Sequence, residues 1–299
     1  MSAAAGLALR ACCLLVAWVG LSSSEPAPNV RYEIPGWSPF TSSDPKPLES
    51  VSARAFENPY TLAFKNDGAL FLSSFTLNHI LRITFHHGSS HRAAYKVYIP
   101  ATHILDGPAG MAFGVEPNEH DTLFVSSFTT DRILRYNTSD DEVGKLVSSF
   151  GNEEELDCPQ GMSFGPDKLL YVVSFLGRKV VRYNATTGAY MGCVYSDPKN
   201  LVGPEDVSVT HNGLLLISVY FRNHIALVNL TTGLLVKTIS HAHLSGPTGL
   251  FIASDHTLYV SSYRSNQILH FDSTLTHLIG VSTESASQTL NGPCGLVMG

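Results

Sequence analysis

The sequence predicts an all-β fold, a β-propeller of four-stranded blades with five blades complete and a sixth incomplete. Three observations predict it: a fifteen-residue segment recurs five times, each copy lies among short apolar runs of β type, and glycine and proline separate the runs. The copies begin at residues 70, 123, 170, 215 and 258, so the period is 43 to 53 residues. Such a period is typical of propeller blades, because one blade cannot bury its own faces and needs neighbours.

Each period reads as four successive strands, A to D. Strand A follows a proline, and its copies NPYTLAF, GPAGMAFG, CPQGMSFG, GPEDVSV, GPTGLFI and GPCGLVMG begin at residues 58, 107, 158, 203, 246 and 292. LFVSSF and its equivalents predict strand B, TTDR and its equivalents a hairpin turn, and ILRYN and its equivalents strand C. Strand D is the next apolar run: AYKVYI, KLVSSF, YMGCVY, LLVKTI and HLIGV.

Strand B is apolar on both of its faces. Leu123 and Val125 lie on one side, and Phe124 and Phe128 on the other, whereas a strand with one solvated face would alternate more cleanly. Both faces must therefore be covered, as they are in blades packed around an axis. The repeated serine pairs at 73–74, 126–127 and 261–262 suit the crowded inner part of a blade.

These motifs resemble the NHL-repeat group of six-bladed propellers, which is similar to streptogramin B lyase, to gluconolactonase-type propellers and to the peptide-amidating lyase. The resemblance covers residues 58–299 and implies the fold more than an activity, because the repeated residues are those that build blades. The last blade stops after its first strand. VSARAF (51–56) and VRYEI (30–34) offer two closing strands, which leaves one missing, so we expect a thin sixth blade or a truncated chain.

Residues 1–24 have the pattern of a secretory signal peptide. Arg10 precedes an apolar run from residue 11 to 21, and the small residues Ser22 and Ser24 follow it. The run is short for a membrane span of about 20 residues. We therefore expect a secreted, extracellular protein, with a retained signal anchor as the alternative, and residues 25–57 as an N-terminal segment before the propeller at 58–299.

Composition and cysteine usage narrow the class further. The formal net charge is −6, which argues against general nucleic-acid binding. We also expect a monomer. After signal removal Cys158, Cys193 and Cys294 remain, an odd number without metal-type spacing. One disulfide is compatible with an oxidising compartment, but three separate buried thiols are the expectation.

Three N-glycosylation sequons fall at one repeat position, the end of strand C, at Asn137, Asn184 and Asn229. In a secreted protein they predict sugars on one rim and a bare opposite face. The alternative is turn chemistry, since asparagine and glycine tolerate left-handed backbone.

By fold-level analogy, the face of the D–A and B–C connections surrounds the channel mouth and binds ligands. The B–C turns there carry a basic rim, which we define as Arg132, Arg178, Lys179, Arg222 and Arg264. Such a rim favours an anionic ligand or an acidic partner, although polar hairpin tips are the plainer explanation. Three glutamates at residues 153–155 lie on the same face and partly cancel its field.

The position after the proline opens strand A at the channel mouth. The predicted binding residues there are Tyr60, Gln160, Glu205, Asp206 and Thr248. Glu205 and Asp206 are weak candidates for calcium, which prefers several oxygen ligands, and the resemblance implies similarly placed acids in gluconolactonase-type propellers. The other blades offer no second acid at this position, so calcium is only a weak candidate ligand.

Two functions remain. The first is a secreted binding module that docks a protein, peptide or glycan through the channel-mouth face. The alternative is a metal-assisted lyase or lactonase in the channel. Strand B has Ser-Ser-Phe where the resemblance implies that a streptogramin lyase carries a Trp-Phe-Thr-Glu type strand, and no Ser/His/Asp arrangement is evident, so an enzyme is the less favoured reading.

Overall fold

The computed structural model describes residues 15–16, 58–86, 92–116, 119–139, 144–282 and 292–297. Twenty of their strands form five four-stranded antiparallel sheets, each in sequence order, as predicted. The predicted strands VRYEI and VSARAF, and all of the predicted signal peptide except residues 15–16, lie outside the described residues. Within them, no helix is long and apolar enough to cross a membrane.

The strands of blade one are β2 (Pro59–Phe64), β3 (Leu70–Ser74), β4 (His79–His86) and β5 (Arg92–Ile99). Those of blade two are β6 (Pro108–Phe113), β7 (Thr122–Ser127), β8 (Arg132–Asn137) and β9 (Lys145–Phe150). Those of blade three are β10 (Pro159–Phe164), β11 (Leu170–Ser174), β12 (Lys179–Asn184) and β13 (Ala189–Ser196). Those of blade four are β14 (Pro204–Val209), β15 (Leu214–Val219), β16 (His224–Asn229) and β17 (Leu235–Ile239), with a 3₁₀ turn at Tyr220–Arg222. Those of blade five are β18 (Pro247–Ile252), β19 (Leu258–Ser262), β20 (Gln267–Phe271) and β21 (Leu278–Val281).

The chain forms five blades, so the six-bladed count that the NHL resemblance implies is wrong for the described structure. The incomplete sixth blade is present only as β22 (Leu296–Val297), at the inner position between β18 and β2. The amide of Gly249 donates to Cys294 O at 2.8 Å, and a Cβ at Gly295 would lie 3.0 Å from Thr61 Cα. β22 also pairs in parallel with β1 (Leu15–Val16). Six inner strands therefore surround the axis, five of them in four-stranded blades and β22 in a two-stranded sheet with β1.

The first serine of strand B joins neighbouring blades. Ser126 Oγ accepts the Gly110 amide at 2.6 Å and donates to Gln160 O of the next blade at 2.8 Å. Ser218 does the same between the Asp206 amide and Thr248 O. Ser126 and Ser218 therefore act through their hydrogen bonds as well as through their small volume, because each satisfies buried backbone groups of two inner strands.

The third residue of the B–C turn makes a second tie between blades. Asn78 has φ 54°, and its Oδ1 accepts the Gly107 amide at 2.8 Å. Asp131, Asn223 and Asn266 repeat this bond to the amides that open the next blades. Asparagine and aspartate suit the position because they tolerate left-handed backbone better than other side chains.

Both faces of the blades are covered, as the sequence predicts. Phe124 on β7 is fully buried in one cluster with Val172 and Val181 of blade three. Its neighbour Val125 points the other way, into a cluster with Phe71 of blade one. Burial of such side chains is the main stabilising term, about 1.5–3 kcal/mol for each large apolar residue.

The cysteines differ from the expectation of three separate buried thiols. Cys158 is a half-buried free thiol, Cys193 is an exposed free thiol, and Cys294 is disulfide-bonded. The exposure of Cys193 follows from its place on the outer strand β13, where one side chain in two faces solvent.

Candidate functional site

One end of the channel is closed by side chains from three blades. The hydroxyl of Tyr60, on blade one, lies 2.6 Å from Gln160 Oε1 on blade three and 2.7 Å from Glu205 Oε2 on blade four. Glu205 is only 4% exposed. We call this set the polar bridge. It spans the mouth at the D–A and B–C face, where the sequence places these three residues.

The equivalent residues of the other blades stay outside the bridge. Ala109 is small and buried, and Thr248 donates to Pro293 O at 2.9 Å. Thr248, predicted as a binding residue, therefore contacts the segment that leads into β22 and links blade five to it.

Asp206, the fifth predicted mouth residue, lies one residue deeper in the channel. Its Oδ2 accepts the Leu250 amide of blade five and its Oδ1 accepts the Val207 amide, both at 2.8 Å. A glycine at position 161 leaves the room for it, because a Cβ there would lie 2.7 Å from Asp206 Cα. Burial between the inner strands raises the pKa of Asp206 to about 7, against the pull of these two amides.

A continuous series of aromatic side chains surrounds the bridged end. Tyr60 packs on Phe75 at 5.4 Å, Phe75 on Phe128 at 5.6 Å, and Phe128 on Phe175 at 6.1 Å between ring centroids. The series continues through Phe221, Tyr220 and Tyr263. We call these seven residues the aromatic girdle. Six of them retain exposed surface, and Tyr220 is buried.

Two large apolar side chains protrude from this face. Phe221 of the girdle is 47% exposed, and Leu176, next to Phe175 in the B–C turn of blade three, is 57% exposed. Leucine and phenylalanine usually remain exposed together where a surface binds another molecule.

The basic rim lies outside the girdle and contacts backbone carbonyls. Arg132, Arg178 and Arg222 donate to the oxygens of Gly151, Pro198 and Lys199, in D–A connections. Lys179 donates to Glu154 O at 3.1 Å. Arg264 lies 4.4 Å from the ring centroid of Tyr220, a cation–π distance. In the part of the chain that the structure describes, none of these five cations forms an ion pair, so no acidic side chain there neutralises the rim by direct contact.

The sequons lie at the opposite edge of the blades. Thr138, which follows Asn137, donates to Asp121 O in the A–B turn of its own blade, and Thr186 of the Asn184 sequon donates to Glu119 Oε1. The Oδ1 atoms of Asn137, Asn184 and Asn229 accept amides one turn ahead. This is the turn geometry that asparagine favours, and it leaves the girdle face without a sequon among the described residues.

The channel forms a cavity with a volume of about 460 Å³. It extends from Asp206 to the A–B turns, where His211 and His256 stack with ring centroids 3.9 Å apart. Sequence reasoning missed these histidines, because each lies in an ordinary A–B turn and their contact joins two blades. The cavity therefore opens on the face opposite the one that fold-level analogy favours.

The residues present do not fit the calcium site that gluconolactonase-type propellers imply. Both carboxylate oxygens of Asp206 already accept backbone amides, and Glu205 accepts the Tyr60 hydroxyl. Ca²⁺ needs six to eight oxygen ligands. Within the described ranges, the one group of three ligating side chains is elsewhere, at Asp131, Asp157 and Cys158.

That second group is explained by the blade-joining turns. Asp131 Oδ1 accepts the Cys158 amide at 2.7 Å, the same tie that asparagine makes in other blades. Burial, followed by the nearby charges of Asp157 and Asp131, raises the pKa of Cys158 to about 12. The thiol is therefore protonated at neutral pH and is a poor metal ligand or nucleophile.

No protein-family model matches this chain, and no curated protein sequence matches it either. Solved structures do. Virginiamycin B lyase from Staphylococcus aureus superposes with a TM-score of 0.61 at 17% identity, over 85% of this chain and 77% of that one. A streptogramin B lyase structure gives 0.56 at 16% identity, over 80% and 86%. A chain of a nidogen/laminin complex gives 0.59 at 17% identity, over 79% and 83%. At these identities the likeness establishes that the chain is similar to these proteins in its β-propeller fold.

Proposed function

We propose that this protein is a binding module that docks a protein or peptide on the girdle face, rather than an enzyme. The observation that carries the proposal is the aromatic girdle. Phe221 of the girdle and the adjacent Leu176 protrude from this face. The five cations of the basic rim surround them and have no ion-pair partners among the described residues. Aromatic and apolar anchors surrounded by polar groups are typical of protein interfaces.

The charge distribution indicates the chemistry of the partner. A protein of net charge −6 that gathers arginines on one face favours a segment with acidic side chains beside an aromatic or aliphatic anchor. The proteins of similar fold are mixed in this respect, since one similar chain comes from a nidogen/laminin complex and two from lyases. Secretion, an NHL-repeat relationship, glycans at the three sequons and a monomeric state are parts of the same proposal.

The test is a selection of random twelve-residue peptides on the purified protein, with a glycan array in parallel. We expect enriched peptides with acidic residues around an aromatic or aliphatic anchor. The double variant Leu176→Ser/Phe221→Ser should weaken their binding at least about tenfold, as loss of an interface anchor does. The variant Arg132→Glu/Arg178→Glu/Arg222→Glu should weaken binding and reduce its dependence on salt.

The matched control is Val147→Ser/Val236→Ser, two side chains on outer strands that are each 55% exposed. It should leave peptide binding unchanged. Equal binding to the girdle variant would contradict the proposal. A glycan that binds the wild type and not the girdle variant would identify a sugar rather than a peptide as the ligand. If neither a peptide nor a glycan bound, the proposed binding function would be wrong.

A further inference from the structure

The channel cavity is a second site, independent of the girdle face. The polar bridge closes the channel at one end, and among the described residues the cavity opens between the A–B turns. Its volume of about 460 Å³ lies within the range of small-molecule sites, about 300–1,000 Å³. A shallower groove of about 480 Å³ continues from the open end and shares Val209 and His211 with it.

The lining combines apolar and polar groups. Met111, Met162, Val209, Phe251 and Ile252 belong to it. Ser208 and Ser163 add hydroxyl groups beside this surface. A ligand of the cavity therefore needs an apolar part as well as groups that form hydrogen bonds.

One charged group lies at the inner end. Asp206 is the single carboxylic acid in the described lining, and that lining contains no lysine or arginine. Each of its oxygens accepts one amide and keeps a second lone pair for another donor. A carboxylate without a counter-ion in the described lining is a receptor for a cationic donor, because a charge-assisted hydrogen bond is about twice as strong as a neutral one.

We propose that the channel cavity binds a small amphipathic amine, with the ammonium group on Asp206 and the apolar body along the inner strands toward His211 and His256. The inner strand from Asp206 to Val209 covers roughly 10 Å, which accommodates a short alkyl or aryl body. The stacked imidazoles border the open end and offer two aromatic edges to the ligand as it enters.

Protonation of Asp206 supplies an internal check. The titratable groups around it are Glu205 on its own strand, Tyr60 across the channel, and His211 and His256 at the open end. Burial raises the pKa of Asp206 to about 7, so the ammonium group would meet a carboxylate at pH 8 and a neutral acid at pH 5.5. Amine binding should therefore strengthen as the pH rises through 7.

The experiment compares n-hexylamine, 1-hexanol and hexanoate by calorimetry and by ligand-detected NMR. At pH 8 we expect the amine to bind at least about tenfold more tightly than the alcohol, and hexanoate to bind more weakly than either. The preference should fall to about twofold or less at pH 5.5. Asp206→Asn should remove the preference while alcohol binding remains, which also shows that the variant is folded.

Ser208→Phe, which fills the cavity from its wall, should abolish binding of both the amine and the alcohol. Leu176→Ser/Phe221→Ser on the girdle face should change neither, so failure of this proposal and failure of the peptide-binding proposal are distinguishable. Equal affinity for amine and alcohol at pH 8, absence of binding by both, or binding that survives Ser208→Phe would each overturn the inference.

Discussion

The two ends of the propeller channel are built by the same inner strands but present different surfaces. At the strand starts, Tyr60, Gln160 and Glu205 meet across the axis and close the channel, and a girdle of aromatic residues surrounds them. Toward the strand ends the channel widens into a cavity with one buried acid. Repeated residues build the frame of both ends, and residues that depart from the repeat distinguish them.

Asp206 illustrates how much one departure changes. Blades two, three and five have a glycine at the equivalent position, as Gly110, Gly161 and Gly249. Glycine there lets neighbouring inner strands approach closely, since a Cβ at Gly110 would lie 2.9 Å from Gly161 Cα. Asp206 uses the space that Gly161 leaves and replaces contact between strands by hydrogen bonds to blade five.

The largest expected effect concerns the buried acid at the inner end of the cavity. Because the folded-state pKa of Asp206 is raised to about 7 from an ordinary 3.8, the native state holds a proton that the unfolded chain has lost between those values. Asp206 therefore costs nothing below pH 4, destabilises the protein increasingly up to pH 7, and costs up to about 4 kcal/mol above it.

Urea unfolding of the wild type and Asp206→Asn at several pH values between 4 and 8 measures this cost. We expect the stability of the wild type, relative to the variant, to fall as the pH rises. The difference between the two proteins removes the contributions of the other titrating groups. A difference that stays constant with pH would show that Asp206 titrates near its ordinary value. The surroundings of Asp206 would then be more hydrated than the structure indicates.

The next effect concerns the wall that the two ends share. Gly161→Ala places a Cβ 2.7 Å from Asp206 Cα, a distance that backbone cannot tolerate, so blades three and four must separate. We expect the free energy of unfolding to fall by about 3 kcal/mol, at the upper end of overpacking effects.

Gly280→Ala on the outer strand β21 is the matched control. Its added Cβ would lie 3.4 Å from His270 Cβ, an ordinary contact, so we expect a change within about 0.5 kcal/mol. Equal unfolding midpoints for the two variants would mean that the inner strands can move apart freely, and the described cavity would then not have a fixed shape.

The sequence was sufficient to predict the blades and the position of some residues at the closed end of the channel. The proline-led strands, strand B with its serines, and the count of five complete blades all follow from the repeat, because propeller strands pair with their sequence neighbours. The residues of the polar bridge were also placed at the mouth. The girdle was visible as the aromatic residue that ends strand B in each copy, such as Phe75 and Phe128, but its role as a continuous surface depends on contacts between blades.

The other end was beyond reach of the repeat. The bond from the Leu250 amide to Asp206 joins residues 44 positions apart, and the stacking of His211 on His256 joins turns of two blades. Neither leaves a local signal in one sequence. The expectation of six blades came from the resemblance, and the structure shows five because the described residues supply only the two-stranded sheet of β1 and β22 at the sixth position.

The smallest expected effect concerns the closed end. Tyr60→Phe removes the hydroxyl that contacts Gln160 and Glu205 but keeps the ring on Phe75, so the girdle survives and the polar bridge does not. We expect the free energy of unfolding to fall by about 1 to 2 kcal/mol, because a buried carboxylate loses a donor.

Tyr190→Phe, on the outer strand β13, is the control, since Tyr190 is 40% exposed. Urea unfolding compares the two, and hydrogen exchange at the amides of β2 and β14 shows whether the mouth has opened. The contrary outcome is that Tyr60→Phe matches the control in stability and in the exchange protection of these amides. The bridge would then contribute nothing measurable to stability, and the packing of the inner strands alone would keep that end closed.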